Sequence, residues 1–278
     1  MKLEIQSKSE GAELTSIKFN GKEMLHQGKE YWNRHAPVLF PIVGQIKNGE
    51  TIINKNTYKM TQHGFARDME FETIEKTPNI HRYVLKSNDK TLEKFPFKFE
   101  LYVTHEIKDN KISTKYTVVN KDNEEMIFGL GGHPAFICDY SKEEYEIDFI
   151  EKEEKIEFFK LKNGLVDTEK GKNILNDNKI YLTKNIFEQD AIIMKNIKSK
   201  KVVLRNTKTN KKILEFDFTG FPYLALWSKI GAPFVCIEPW LNTADKIDSN
   251  GEFKDKENIL KLKSNDKFEC EYKVEFFE

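Results

Sequence analysis

Apolar and polar residues alternate with a period of two along much of this chain. Phe99, Leu101, Val103, His105 and Ile107 alternate with polar neighbours, and Ile112, Thr114, Tyr116 and Val118 repeat the pattern beyond Asp109-Asn110. Two alternating runs joined by a short Asp/Asn turn predict a β-hairpin. Phe268, Cys270, Tyr272, Val274 and Phe276 alternate near the C-terminus, and Leu214, Phe216 and Phe218 follow an Asn- and Thr-rich turn at Asn206 to Asn210. The stretch from Ile5 to Phe19 predicts two further strands around Lys8 to Gly11. No window of about 15 residues carries a sustained apolar stripe of helical period. The pattern predicts an all-β protein with at most a helical turn or two. Gly (14) and Pro (8) are sparse and no Ser/Gly/Pro tract interrupts the chain, so residues 1–278 are expected to form a single domain.

Composition narrows the function classes. Forty-five Lys+Arg balance forty-five Asp+Glu, which argues against a nucleic-acid partner, since phosphate neutralisation needs a basic surface. Aromatic residues make up 12% of the chain, with 21 Phe and 10 Tyr, enough large apolar surface for a folded core. No apolar run approaches the roughly 20 residues of a membrane span. The longest, Ala36 to Val43, is broken by Pro37 and Pro41. The polar, alternating N-terminus lacks the apolar region of a secretory signal. Three widely spaced cysteines (Cys138, Cys236, Cys270) suggest neither a disulfide framework nor a zinc knuckle. A cytoplasmic protein without a membrane partner is expected. The charge-dense segment Lys142 to Lys162, with Glu151, Glu153, Glu154 and Glu157 among lysines, reads as solvated strand faces and turns.

Three segments depart from this background. Gln62-His63-Gly64-Phe65-Ala66-Arg67-Asp68 sets a histidine, a glycine and one of only four arginines close together. Taken alone, this can equally be an ion pair of Arg67 with Asp68 or Glu70. Leu130-Gly131-Gly132-His133-Pro134-Ala135-Phe136 is the second. Its glycines permit a close backbone approach or a positive φ, and Pro134 restricts His133. Imidazole is the side chain best suited to proton exchange near neutrality, although a hydrogen-bonded core histidine is the simpler alternative. The third, Ala232 to Trp240, holds the lone carboxylate of Glu238 between Ile237 and Pro239. A buried charge needs a partner or a proton, so Glu238 is expected to have a partner and a pKa above the usual carboxylate value, as a general base near neutral pH requires. A structural salt bridge is the alternative. Trp227 and Trp240 can stack on a sugar ring. The six histidines show no metal-ligand spacing, and no metal is expected.

In these segments the sequence resembles the aldose 1-epimerase (mutarotase) family, and within it a bacterial branch named after a lactose-operon product. The match runs in order through Tyr31-Trp32, Ala36 to Gly44, His63 to Arg67, Gly131 to Phe136, Asp190-Ala191, Phe221 to Trp227 and Cys236 to Trp240. The resemblance implies a large β-sandwich of the galactose mutarotase-like type, with its site in a cleft on one sheet. It places Glu238 on the family's general base and His133 on its general acid. His63 and Arg67 fall in the motif that binds sugar oxygens, and Asp190 on a carboxylate that binds sugar hydroxyls. The implied activity is interconversion of aldose anomers on a small sugar, without a cofactor. Two positions depart from the pattern. Gln45 stands where relatives commonly have Arg, which tilts the expectation toward a neutral sugar rather than a hexose 6-phosphate. Asn242 stands where Gly is expected, at a turn whose left-handed conformation Asn also tolerates. A non-catalytic sugar-binding protein on the same scaffold is the main alternative. A glycoside hydrolase using Glu238 with Asp190 is a further one.

Overall fold

A computed structural model describes residues 2–278, and its regular structure is almost entirely antiparallel strand. Two large sheets dominate. The nine-stranded sheet runs, in spatial order, Lys179–Tyr181, Tyr145–Phe149, Lys201–Asn206, Lys211–Asp217, Lys267–Phe276, Lys111–Asn120, Phe99–Lys108, Ile80–Lys86 and Glu72–Lys76. The eight-stranded sheet runs Leu165–Lys170, Phe158–Lys162, Ile192–Lys195, Tyr223–Trp227, Phe234–Trp240, Gly131–Gly132 and Val38–Leu39, with Ala135–Ile137 also paired to Phe234–Trp240. The only α-helix among the described residues is the single turn Asp89–Leu92, capped by Asn88.

The predicted hairpin forms as strands Phe99–Lys108 and Lys111–Asn120, with Asp109 supplying the positive φ (58°) at the turn. Asn110 anchors it by donating from Nδ2 to the Phe276 carbonyl at 3.1 Å. The two strands around Lys8 to Gly11 are Leu3–Ser7 and Leu14–Phe19, paired to each other in a small separate sheet.

The sheets pack face to face as a sandwich. Leu101, Val103, Tyr116, Leu214, Phe216, Val274 and Phe276 from the larger sheet share one buried cluster with Ile192, Met194, Leu224, Leu226, Val235 and Ile237 from the smaller. The Phe216 and Tyr272 rings stack at 5.2 Å, and Phe136 meets Phe216 edge-on at 6.1 Å. Removing this much aromatic surface from water, at roughly 25 cal/mol per Å², is the main force joining the layers. The other face of the smaller sheet carries two satellite clusters, one containing Tyr223, Ala225 and Trp240 and the other Ala135, Phe234 and Cys236.

The charge-dense segment is not wholly solvated. Glu153 is buried and its carboxylate accepts from the Ser199 backbone N–H at 2.8 Å. Glu146 is buried against Lys179 (3.0 Å) and Arg205 (3.6 Å). Both acids are tolerated in the interior because each has a donor.

Candidate active site

Strand Phe234–Trp240 alternates in its destinations. Val235 and Ile237 enter the main core, whereas Phe234, Cys236, Glu238 and Trp240 face the opposite side of the smaller sheet. Glu238 therefore sits on the outer face, directly across from the small side chain of Ala225. That gap belongs to a cleft of about 540 Å³, lined among others by Trp32, His63, Arg67, His133, Asp190, Trp227 and Glu238.

His133 reaches Glu238 through strand register. Gly131 faces Trp240 and Ala135 faces Cys236, so His133 falls opposite Glu238 in the interval between those pairs. The Ile237 backbone N–H donates to the Pro134 carbonyl at 3.2 Å and holds the strands together there. His133 Nε2 lies 3.1 Å from Glu238 Oε2, and both side chains are buried. Neither carboxylate oxygen has an aligned hydrogen-bond donor. The glycines before His133 serve close approach rather than positive φ. A Cβ on Gly132 would lie 2.8 Å from the Tyr272 ring and 2.9 Å from the Tyr116 hydroxyl.

Burial pushes the Glu238 carboxyl well above the usual range, and the charge of Asp190 adds to this. That is the direction its apolar neighbours predict. Burial holds His133 down to about 3, with the nearby Arg67 charge contributing. A histidine titrating near neutrality was expected here, and desolvation overrides that expectation. Together these shifts favour a neutral pair, with one proton held on the carboxyl.

The segment containing His63 is clamped from two sides. The His63 N–H donates to the Gly44 carbonyl at 2.8 Å, and the Gly44 N–H donates to His63 Nδ1 at 3.0 Å. Nδ1 is thus an acceptor, which leaves Nε2 as the N–H of a neutral ring. Burial keeps that ring neutral, well below the ordinary histidine value. Gly64 takes φ 74°, and a Cβ there would lie 2.2 Å from the Phe40 carbonyl oxygen. Arg67 donates from Nη2 to the Gln62 carbonyl at 2.6 Å, while its buried Nε has no acceptor. Burial lowers it to about 10, so it stays cationic at neutral pH. Asp68 pairs with Arg34 at 2.7 Å and lies 3.9 Å from Arg67 Nε.

The walls are aromatic. Half-buried Trp227 meets His133 edge-on at 5.7 Å, and its backbone pairs with Cys236. Trp240 also lines the cleft but is buried, and its indole N–H has no acceptor. Asp190 stands exposed on the lining in a left-handed conformation (φ 74°). Trp32 was not singled out from sequence as a site residue, yet its ring lies 4.8 Å from His133 and 5.6 Å from Trp227. His26 Nε2 donates to the Trp32 carbonyl at 2.8 Å and fixes that loop. Tyr31 and Lys229 also reach the lining.

The two departures have local explanations. The Gln45 side chain packs on Gly164, where a Cβ would meet its Oε1 at 2.1 Å. Asn242 was expected at a left-handed turn, but it is fully buried against Gly129 and its φ is not positive.

The family model described as Aldose 1-epimerase matches residues 2–261. The chain belongs to the aldose 1-epimerase family. Protein LacX (plasmid) of Lactococcus lactis subsp. lactis is 34% identical over 275 residues, covering 94% of this chain and 92% of that protein. A galactose mutarotase related enzyme from Lactobacillus acidophilus superimposes with a TM-score of 0.92 at 33% identity, covering 99% of this chain and 95% of that one. A galactose mutarotase-like protein from Lactobacillus casei gives a TM-score of 0.93 at 29% identity, covering 99% and 97%. Membership of this family supports a role of sugar-epimerase or mutarotase type and an enzyme of the isomerase class. The fold is the galactose mutarotase-like sandwich. No helix of the described residues is long and apolar enough to cross a membrane.

Proposed function

We propose that this chain interconverts the α and β anomers of an aldohexose by opening and reclosing the sugar ring, with Glu238 as general base and His133 as general acid. The observation that carries this reading is the isolated His133–Glu238 pair at 3.1 Å on the floor of an aromatic cleft. The neutral pair and the carboxylate–imidazolium pair hold the same single proton. Burial favours the first form. A bound sugar favours the second, because its O1–H donates to the carboxylate and its ring oxygen accepts from the imidazolium.

From that form Glu238 removes the O1 proton while His133 protonates the ring oxygen. The C1–O5 bond breaks and C1 becomes an aldehyde. Rotation about C1–C2 and reversal of both transfers closes the other anomer, and the site regains its starting proton. Electrons and atoms balance without a cofactor. His63 Nε2 and Arg67 donate toward the oxygen where charge builds, and fixed donors of this kind stabilise a transition state more than they do a ground state. Trp227 and Trp32 supply apolar ring faces, and Asp190 accepts from sugar hydroxyls.

A neutral aldohexose suits this lining. Arg34 is engaged by Asp68, and Arg67 spends one N–H on a backbone carbonyl. Lys229 is the exposed cation at which a 6-phosphate would gain most. Comparing anomer exchange of glucose, galactose and glucose 6-phosphate by NMR tests both the reaction and the substrate class. Saturable binding without exchange would instead make the chain a sugar-binding protein.

A further inference from the structure

Cys236 shares the outer face of its strand with Glu238, two residues away, and stands opposite Ala135 and Trp227. Its thiol is fully buried. Ring opening uses no thiol. One donor atom each from His133, Cys236 and Glu238 lies within 4.8 Å of the other two. Both Glu238 oxygens are buried and without a hydrogen-bond partner. We propose that His133, Cys236 and Glu238 form a three-ligand site for a divalent transition metal of zinc type, with its fourth position open to the cleft.

The ligand chemistry selects the metal. Imidazole, thiolate and carboxylate together suit Zn²⁺, Co²⁺ or Cd²⁺, whereas Mg²⁺ and Ca²⁺ require oxygen cages. Tetrahedral Zn²⁺ places N, S and O ligand atoms about 3.4–3.6 Å apart, given its bond lengths. His133 and Glu238 already stand 3.1 Å apart, so an ångström-scale movement of the thiol completes the geometry. Entry is from the cleft, which both of those residues line.

One thiolate, one carboxylate and a neutral imidazole around M²⁺ give the loaded site a net charge of zero, as a low-dielectric interior requires. Sequence spacing of histidines alone could not reveal such a set, because it takes one ligand from each of three residue types. A metal there would occupy both members of the acid/base pair and block turnover. That consequence rests on the proposed function, whereas binding itself does not.

The test uses the full chain freed of metal by a chelator. Titration with Co²⁺ is expected to give a thiolate-to-cobalt charge-transfer band saturating at one equivalent. Calorimetry with Zn²⁺ should show binding that saturates at one ion per chain. Cys236→Ala should abolish the band and weaken Zn²⁺ binding by at least about tenfold, while Cys138→Ala retains both. Glu238→Gln removes the carboxylate ligand while keeping the thiol in place, and should weaken Zn²⁺ binding by at least about tenfold. Absence of the band at millimolar Co²⁺, or a band that survives Cys236→Ala, overturns the proposal. These readouts involve no sugar, so a chain that binds Co²⁺ but fails to exchange anomers would refute the proposed function and leave the metal site standing.

Discussion

His133 stands directly opposite Glu238 across two antiparallel strands, Nε2 3.1 Å from Oε2, in a register set by the Gly131–Trp240 and Ala135–Cys236 pairs on either side. Cross-strand neighbours hold their separation without relying on loop conformation. The pair therefore depends on how tightly the Gly131–Gly132 strand lies on the opposing sheet.

Gly132→Ala tests that dependence. The new methyl would press on Tyr272 and the Tyr116 hydroxyl and lift His133 from its partner. A displacement on the order of 1 Å costs up to about 100-fold in a positioned reaction. Anomer exchange should fall by about tenfold or more, while thermal unfolding remains cooperative. Unchanged exchange would mean that the approach of these glycines does not position the imidazole.

The pH profile should lack the inflection of an ordinary histidine. His133 takes a second proton only as pH falls toward about 3, and Glu238 gives up its proton only well above the normal carboxylate range. The one-proton site therefore persists between these limits, and kcat/KM should show no acid limb at the ordinary histidine value. A limb centred near 6.5 would show that the free enzyme's His133 is solvated.

Gly64→Ala should destabilise the fold. The position has φ 74°, and its Cβ would enter the Phe40 carbonyl. Strain at such a residue costs roughly 1–3 kcal/mol, and the overlap adds to it. The urea midpoint should drop measurably. A midpoint equal to wild type would show that the His63 segment relaxes freely.

Acid should destabilise the protein through named groups. His105 is buried, donating from Nε2 to the Ala12 carbonyl at 2.8 Å, and burial holds it to about 4. Below its unfolded value near 6.5 the unfolded chain takes up a proton that the folded chain refuses, so stability present at neutral pH is lost as pH falls toward 4. For this shift the loss is about 3 kcal/mol. Glu13 acts with the same sign at lower pH. Despite its burial, hydrogen bonds from His35 and the Lys8 ammonium hold it to about 2, and its contribution fades between about 4.5 and 2. Urea unfolding at pH 7 and pH 4.5 should show the fall, and His105→Gln should flatten it. Equal slopes in variant and wild type would remove His105 from the account.

The fold was legible where one sheet face meets water. Strands Phe99–Lys108, Lys111–Asn120 and Lys267–Phe276 alternate because one face enters the core and the other carries charge. The smaller sheet was harder to read, because Phe234–Trp240 is buried on both faces and Val38–Leu39 and Gly131–Gly132 are too short to show a period. Glu238 stood out because a charge in an apolar run is costly, and His133 because of the glycines before it. Their contact was not legible, since it depends on strand register. Nor was the place of Trp32 on the cleft wall, since it sits in an irregular loop held by His26. The depressed pKa of His133 follows from burial that no local motif reports.

In the proposed reaction Glu238 and His133 act together on one sugar ring. Two-dimensional exchange NMR on equilibrated α- and β-glucose measures their interconversion directly. Wild-type protein should accelerate exchange well above the buffer rate, and Glu238→Gln and His133→Asn should each lose at least about 100-fold while keeping the wild-type fold by circular dichroism. Near-normal exchange in either folded variant, or none in the wild type with any of the three sugars, would contradict the account.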